Sequence, residues 1–208
     1  MNSPPEIFTS LDLEMNQPSG KIIQIGAVVG NITTGFILDK LSVIVNPNEE
    51  LNPFIVKLTG ISQHQVNCGE DLQIAYGKLC MMHIKHAAFH SPITWGNGDV
   101  ETLKQQVAVG NNSQFLFGRR YFDSKTLFQA YCLAYNVANA SSGGKMKLQS
   151  GLAKSMIRVG LNFKGRKHNA ADDAENTFVI FHHMLKLMTL KDAEMIQALY
   201  GKEAKKKI

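Results

Sequence analysis

What the chain lacks narrows it first. No apolar run approaches the roughly 20 residues a membrane-spanning helix needs. The start, Met1-Asn2-Ser3-Pro4-Pro5-Glu6, has neither the basic opening nor the apolar core of a secretion signal. The three cysteines, Cys68, Cys80 and Cys132, are odd in number, widely spaced and without a Cys-x-x-Cys pair, which argues against a disulfide framework or a thiolate zinc site. A reducing, cytoplasmic setting with no membrane partner is expected. Acids are in deficit too: 17 Asp and Glu against 22 Lys and Arg give a net charge of +5. That surplus fits either a merely soluble basic protein or one with a polyanionic partner. There is no internal repeat. The 208 residues suffice for one domain with a sizeable core, and a 44% hydrophobic, 19% charged composition is ordinary for a soluble globular protein.

What is present is a mixture of strands and helices. Ile7 to Glu14, Lys21 to Gly30 and Phe36 to Val45 read as three strands, separated by turn residues and stopped by Asn46-Pro47-Asn48, so an antiparallel meander is expected. Lys57 to Ile61 reads as a turn, with Ser62 capping a short helical turn. Asp71 to Lys85 carries apolar residues at helical spacing. Short extended pieces flank Pro92, and a helix follows Asp99, with Val100, Leu103 and Val107 on one face. Phe115 to Phe122 reads as a strand, Asp123-Ser124 as the cap of a helix over Lys125 to Val137, and Ser141-Ser142-Gly143-Gly144 as a flexible loop. Helices are expected over Leu148 to Val159 and Ala170 to Leu190, then a last short helix and the lysines 202, 205, 206 and 207. The main domain is drawn at 6–190 and the tail at 191–208.

Three places break the pattern. Side chains alternate across a strand, so Asp12 and Glu14 share one face while Leu11 and Leu13 share the other. Two same-face carboxylates fit either a solvated edge strand or a divalent metal held against a buried one. Asp99 is a third acid where a strand gives way to a helix. The fourth is in Gly165-Arg166-Lys167-His168-Asn169-Ala170-Ala171-Asp172-Asp173, a loop-to-helix junction. Acids in a first helical turn suit the helix dipole, which accounts for Asp172 and Asp173 as capping charges. His168, five residues before Asp173 on the loop side, is placed to move a proton beside a fixed acid. Four acids from three segments can hold two divalent ions about 4 Å apart, the arrangement of metal-assisted phosphodiester hydrolysis. Committing those four carboxylates raises the charge of the remaining surface from +5 to +9 and favours a nucleic acid.

Asp12-Leu13-Glu14, Trp95-Gly96-Asn97-Gly98-Asp99 and His168-x-Ala170-x-x-Asp173-Ala174 stand in the order and form of the three motifs of the DEDD exonuclease superfamily, in its histidine-containing branch. The resemblance spans roughly residues 6 to 188. Leu58-Thr59-Gly60-Ile61 and Gly165-Arg166-x-His168-Asn169-Ala170 are most similar to the enhanced-RNAi type 3′-5′ exoribonucleases, with RNase T and proofreading exonucleases as neighbours. The resemblance implies an α/β, ribonuclease-H-like fold, a mixed sheet opening with the antiparallel meander and flanked by helices. It implies two divalent ions, Mg²⁺ or Mn²⁺, one held by Asp12, Glu14 and Asp173 and the other by Asp12 and Asp99, with His168 as general base. Leu13, Leu58, Thr59, Gly60, Ile61 and Asn97 would touch the 3′-terminal nucleotide. The implied activity is 3′-to-5′ hydrolysis of single-stranded RNA to nucleoside 5′-monophosphates. A single-stranded DNA exonuclease or proofreading-type subunit, and an RNA-binding module without catalysis, are the alternatives. Asn16 departs from the family's usual Thr or Ser and is expected to alter nucleotide contacts. The oligomeric state is left open, a homodimer included.

Rival groupings are weaker. His83, His86 and His90 could suggest zinc, but the helix should end before His90. His182 and His183 are adjacent and face different directions on a helix. Phe128, Tyr131 and Tyr135 have the spacing of a core stripe, and the lysine tail reads as a solvated end.

Overall fold

In the computed structural model the described residues are 4–108, 115–118, 120–135, 148 and 150–204, with 190–204 described in backbone alone. The alternating and apolar runs at the start form β1 (Ile7–Met15), β2 (Ile22–Asn31) and β3 (Ile37–Ile44), paired antiparallel as expected. α1 (Pro53–Thr59), α2 (Gln63–Asn67) and α3 (Leu72–Lys85) lead to β4 (Phe89–Thr94), then α4 (Asp99–Ala108), β5 (Phe122–Asp123), α5 (Ser124–Ala134), α6 (Leu152–Arg158) and α7 (Ala170–Ala204). β4 runs parallel to β1 and β5 parallel to β4, giving the sheet order β3-β2-β1-β4-β5. β1 is therefore the central strand. The solvated-edge explanation for Asp12 and Glu14 falls away on that ground.

A central strand has both faces covered. Leu11 and Leu13 pack with Tyr76 and Leu79 of α3 and Leu103 of α4. On the opposite face Phe8 packs with Phe178 and Phe181 of α7. That face is where Asp12 and Glu14 point. α7 comes unusually close to β2 because the strand carries glycine beneath it. A Cβ on Gly26 would lie 1.9 Å from the carbonyl carbon of Ala170, and one on Gly30 would lie 2.4 Å from the ring of Phe178. Burial of a phenylalanine such as Phe178 stabilises by roughly 1.5–3 kcal/mol. A side chain at either glycine would force the two elements apart.

The structure differs from the sequence reading at several joints. The two pieces around Pro92 are one strand. Pro92 falls where the β1–β4 register shifts between Phe8 and Ser10, so its missing N–H interrupts no regular ladder. Residues 53–59, of which 57–59 are expected in a turn, form a helix. Asn52 caps it, Pro53 stands in its first turn and Gly60 ends it at φ +69. The strand expected over 115–122 is reduced to β5. Phe115 and Phe117 instead pack beside α3, and the Leu116 N–H donates to the Tyr76 hydroxyl at 2.6 Å. The helix expected from Leu148 begins at Leu152 after Gly151, and α5 ends at Ala134. The 141–144 loop and residues 205–208 lie outside the described residues. α7 passes Leu190 without interruption, in keeping with a sequence free of glycine and proline from 170 to 200. Among the described residues no helix is long and apolar enough to cross a membrane.

Candidate active site

The acids meet at the carboxyl ends of β1 and β4, the end at which open sheets with parallel strands bind ligands. Asp12 stands opposite Gly26 in the β1–β2 ladder, and Gly26 is where α7 begins. The Gln24 side-chain carbonyl accepts from the Ala170 N–H at 3.0 Å, satisfying a free donor of the helix start, while its amide donates to the Ser42 hydroxyl at 3.1 Å. The Asn169 carbonyl accepts from the Asp172 and Asp173 N–H groups at 3.0 and 2.9 Å. With its first turn fixed in this way, α7 delivers Asp173 to the acids of β1.

His168 is held from behind. Its backbone N–H donates to Asp173 Oδ2 at 2.8 Å, and that of Arg166 donates to Asp172 Oδ2 at 2.9 Å. A ring nitrogen of His168 and carboxylate oxygens of Glu14 and Asp173 all lie within 4.8 Å of one another. Asp99 arrives from the other side of the sheet. The chain passes from β4 to α4 through Gly96 at φ +94 and Gly98 at φ +126, conformations that favour glycine, so Asp99 opens α4 at the same end. The Gly96 N–H donates to Asp123 Oδ1 at 3.0 Å, and Asp123 also caps α5 as expected.

These carboxyls repel one another in a partly dry setting. Burial, then Asp99, Asp173 and Glu14 in that order, push Asp12 well above the usual carboxylate range. Burial, then Asp173 and Asp99, raise Glu14 to about 7. Burial raises Asp99 as well. Asp173 is raised to about 6 by burial, although the backbone N–H and ring of His168 and, less, the charge of Lys167 hold it down. Among the described residues none of the four has an ion pair to Lys or Arg. Uncompensated oxygen donors converging on one place, with a metal-capable trio among them, are the chemistry of a hard divalent cation site. The residues present therefore fit the ions that the motifs imply.

A cleft of about 580 Å³ opens over this floor. Asp12, Leu13, Glu14, His168 and Asp173 border it. Leu13 is buried in the core on the far face, so its main chain is what it can offer the cleft. Asp99, Asn97 and Leu58 to Ile61 do not border it. Asn97 is exposed on the β4–α4 loop. The 58–61 turn instead reaches the His168 loop through Gly60, which lies against Arg166. Sequence reasoning missed Lys125, Lys154 and Phe163 on the cleft wall; they come from α5, α6 and the following loop, and nothing in their local spacing marks them. Lys167, next to His168, also borders the cleft and was open to discovery from its neighbour.

Other expectations resolve locally. Asn16 is buried and donates to Glu49 Oε1 at 2.7 Å and to the Glu50 carbonyl at 3.0 Å, and its Oδ1 accepts from the Asn52 N–H at 2.9 Å. Its amide is engaged in joining β1 to α1 rather than in reaching a nucleotide. His83 shares a hydrogen bond with Thr9, and His86 bonds Asp39, so the zinc alternative has no cluster among the described residues. His182 and His183 bond the carbonyls of Ile32 and Val159, in different directions. Phe128 and Tyr131 are buried in a core cluster against which Tyr135 packs.

A family model described as Exonuclease matches residues 8–84, from β1 through α3. Human ERI1 exoribonuclease 2 is 26% identical over 193 residues, covering 81% of this chain and 26% of the relative; the mouse protein is 27% identical over 190 residues with the same coverage. The chain thus spans about a quarter of the length of these curated relatives. The nuclease domain of 3′hExo, a DEDDh family member bound to rAMP, superposes with a TM-score of 0.68 at 22% identity, covering 89% of this chain and 94% of that one. Cell-death related nuclease 4 superposes with a TM-score of 0.73 at 18% identity, covering 88% and 65%. The fold is that of the ribonuclease-H-like nucleases. Within that class the three motifs and the partial family match make the chain similar to the DEDDh exonucleases.

Proposed function

We propose that this chain is a metal-dependent 3′-to-5′ exonuclease that takes single-stranded nucleic acid, RNA in preference to DNA, and releases nucleoside 5′-monophosphates. The supporting observation is the convergence of Asp12, Glu14, Asp99 and Asp173, none of them ion-paired to Lys or Arg among the described residues, beside the His168 ring. Asp12, Glu14 and Asp173 would hold one divalent ion, Mg²⁺ or Mn²⁺, and Asp12 with Asp99 a second. When bound, such a pair activates water and stabilises the leaving oxygen of a phosphodiester.

The chain's own groups supply the rest. An imidazole nitrogen of His168 accepts the proton of the attacking water, and Asp173 positions that ring through the backbone N–H it accepts. Lys125, Lys154 and Lys167 border the cleft and have no ion-pair partner among the described residues, which leaves them free to neutralise phosphates. The aromatic faces of Trp95 and Phe163 on the same wall suit an unpaired base, which favours a single strand over a duplex.

The test uses RNA and DNA oligomers of one sequence, labelled at either end, with Mg²⁺, Mn²⁺ or EDTA. Stepwise shortening of 5′-labelled RNA, mononucleotide release from 3′-labelled RNA, and silence in EDTA are expected. Shortening from the 5′ end, or full activity in EDTA, would defeat the proposal. Faster turnover of DNA would reassign the substrate.

A further inference from the structure

The loop before α7 is held in a conformation its residues do not favour. His168 has φ +59, in the left-handed region that disfavours a side chain with a Cβ. Such a backbone persists only where the surroundings hold it. Two of the holds come from α7 itself, through Asp172 to the Arg166 N–H and Asp173 to the His168 N–H.

A third reaches off the helix. A Cβ on Gly60 would lie 2.0 Å from both Nη1 and Nη2 of Arg166 and 2.3 Å from its Cζ. The two nitrogens are equally near and Cζ lies farther off, so the guanidinium directs its Nη1–Nη2 edge at the bare backbone of Gly60. The forked end of an arginine spans this width, whereas a lysine ends in a single ammonium. Among the described residues the Arg166 side chain has no ion pair or hydrogen bond to explain its place otherwise. Gly60 in turn ends α1, and α1 is tied to the end of β1 by the Asn16 bond to the Asn52 N–H. Arg166 therefore connects the loop that carries His168 to an element anchored on the strand that carries Asp12 and Glu14.

We propose that Arg166 is a positioning residue for His168: with its guanidinium edge abutting Gly60, it fixes the height of the loop over the acid cluster, so that the 58–61 turn and the His168 loop move as one. This rests on the exonuclease reading above. It requires glycine at 60, because any side chain there occupies the space of the guanidinium, and it requires arginine at 166.

The experiment is a double-mutant cycle with Arg166→Ala and Gly60→Ala, with Arg166→Lys alongside. It is read by single-turnover and steady-state cleavage of 5′-labelled RNA, by Mn²⁺ titration, and by thermal unfolding so that rates refer to folded protein. A displaced base is expected to lower kcat about tenfold, since small misplacements cost rate steeply, with KM and Mn²⁺ affinity changed less than about twofold. Arg166→Lys should not restore the rate. Gly60→Ala should lower kcat when Arg166 is present and lower it clearly less when position 166 is already alanine, where only the strain of alanine at φ +69 remains. A raised KM at constant kcat in Arg166→Ala would make the guanidinium a substrate contact and overturn the proposal. Equal cost of Gly60→Ala in both backgrounds would overturn it too, by removing the coupling. Should Arg166→Ala not fold, full rate in Arg166→Lys is enough to overturn it. Wild-type protein without 3′-end activity would remove both readings, whereas active wild type with unchanged variants would remove this one alone.

Discussion

Asp172 and Asp173 are neighbours on α7, yet they belong to two regions kept in opposite electrostatic states. Asp172 faces β3, where Lys40 bonds both it and Glu175 at 2.8 Å, and where Asp39 meets Lys85 and His86 at 2.9 Å. Bonds from His86 and Lys85 lower Asp39 to about 2. For Asp172, burial is outweighed by the Arg166 N–H and Lys40, and its carboxyl is lowered as well. One residue further on, Asp173 joins a group whose carboxyls are all raised. Acids that brace a structure are given cations. Acids left without them raise the energy of the folded state, and a chain retains such a group where it binds something that supplies the missing charge.

The contrast can be broken most severely from the uncompensated side. Asp12→Ala should take RNA cleavage below detection while the circular dichroism spectrum stays native, because removing one acid also relieves repulsion in the metal-free state. Full turnover in that variant would show that the cluster is not the catalytic centre. His168→Ala should lower single-turnover rates by about 10²–10⁴, the usual size of a general-base contribution. Unchanged Mn²⁺ affinity would mark the ring as a base, and a clear loss would mark it as a ligand.

Next in size is a link between pH and metal. A carboxyl raised in the folded state contributes stability that is fully present below its unfolded pKa and lost as pH rises through its folded value. With Glu14 at about 7 and Asp173 at about 6, metal-free protein should lose thermal stability between about pH 4 and pH 7. Mg²⁺ or Mn²⁺ should then raise Tm more at pH 8 than at pH 5. An equal shift at both values would break the comparison. The smallest effect belongs to the compensated region. Asp39→Asn removes exposed pairs and should cost about 0.2–1 kcal/mol in denaturant unfolding, without altering turnover. Its stabilising contribution is present above the ordinary Asp range and is lost only as pH falls through about 2, the reverse direction.

The sequence shows the site more readily than its supports. Asp12 and Glu14 declare themselves because a strand has a two-residue period, and Asp99 and Asp173 because each opens a helix. The meander follows from its turns. The Gly26 contact with Ala170 does not declare itself, since a glycine in a strand has many uses and its partner is 144 residues away. α1 was hidden by its brevity, although Asn52-Pro53 and Gly60 bracket it. Asn16 looked like a change at a ligand contact because local sequence cannot show that Glu49, Glu50 and Asn52 fold back upon it. The shortness of β5 reflects tertiary packing, which draws Phe115 and Phe117 toward α3 against their strand propensity.

Two parts can be located by a spacer between them or by being seated directly on each other. At Gly26 the helix start is seated on the strand, backbone to backbone, and Asp12 and Asp173 are mounted on either side of that seat. Changes elsewhere in the core alter the thickness of side-chain layers, but there is no layer here to thicken. The spacing of the two acids is consequently an all-or-none quantity. Ordinary substitution in the core leaves it unaltered, and a single methyl group at position 26 would change it at once, with no intermediate setting between them.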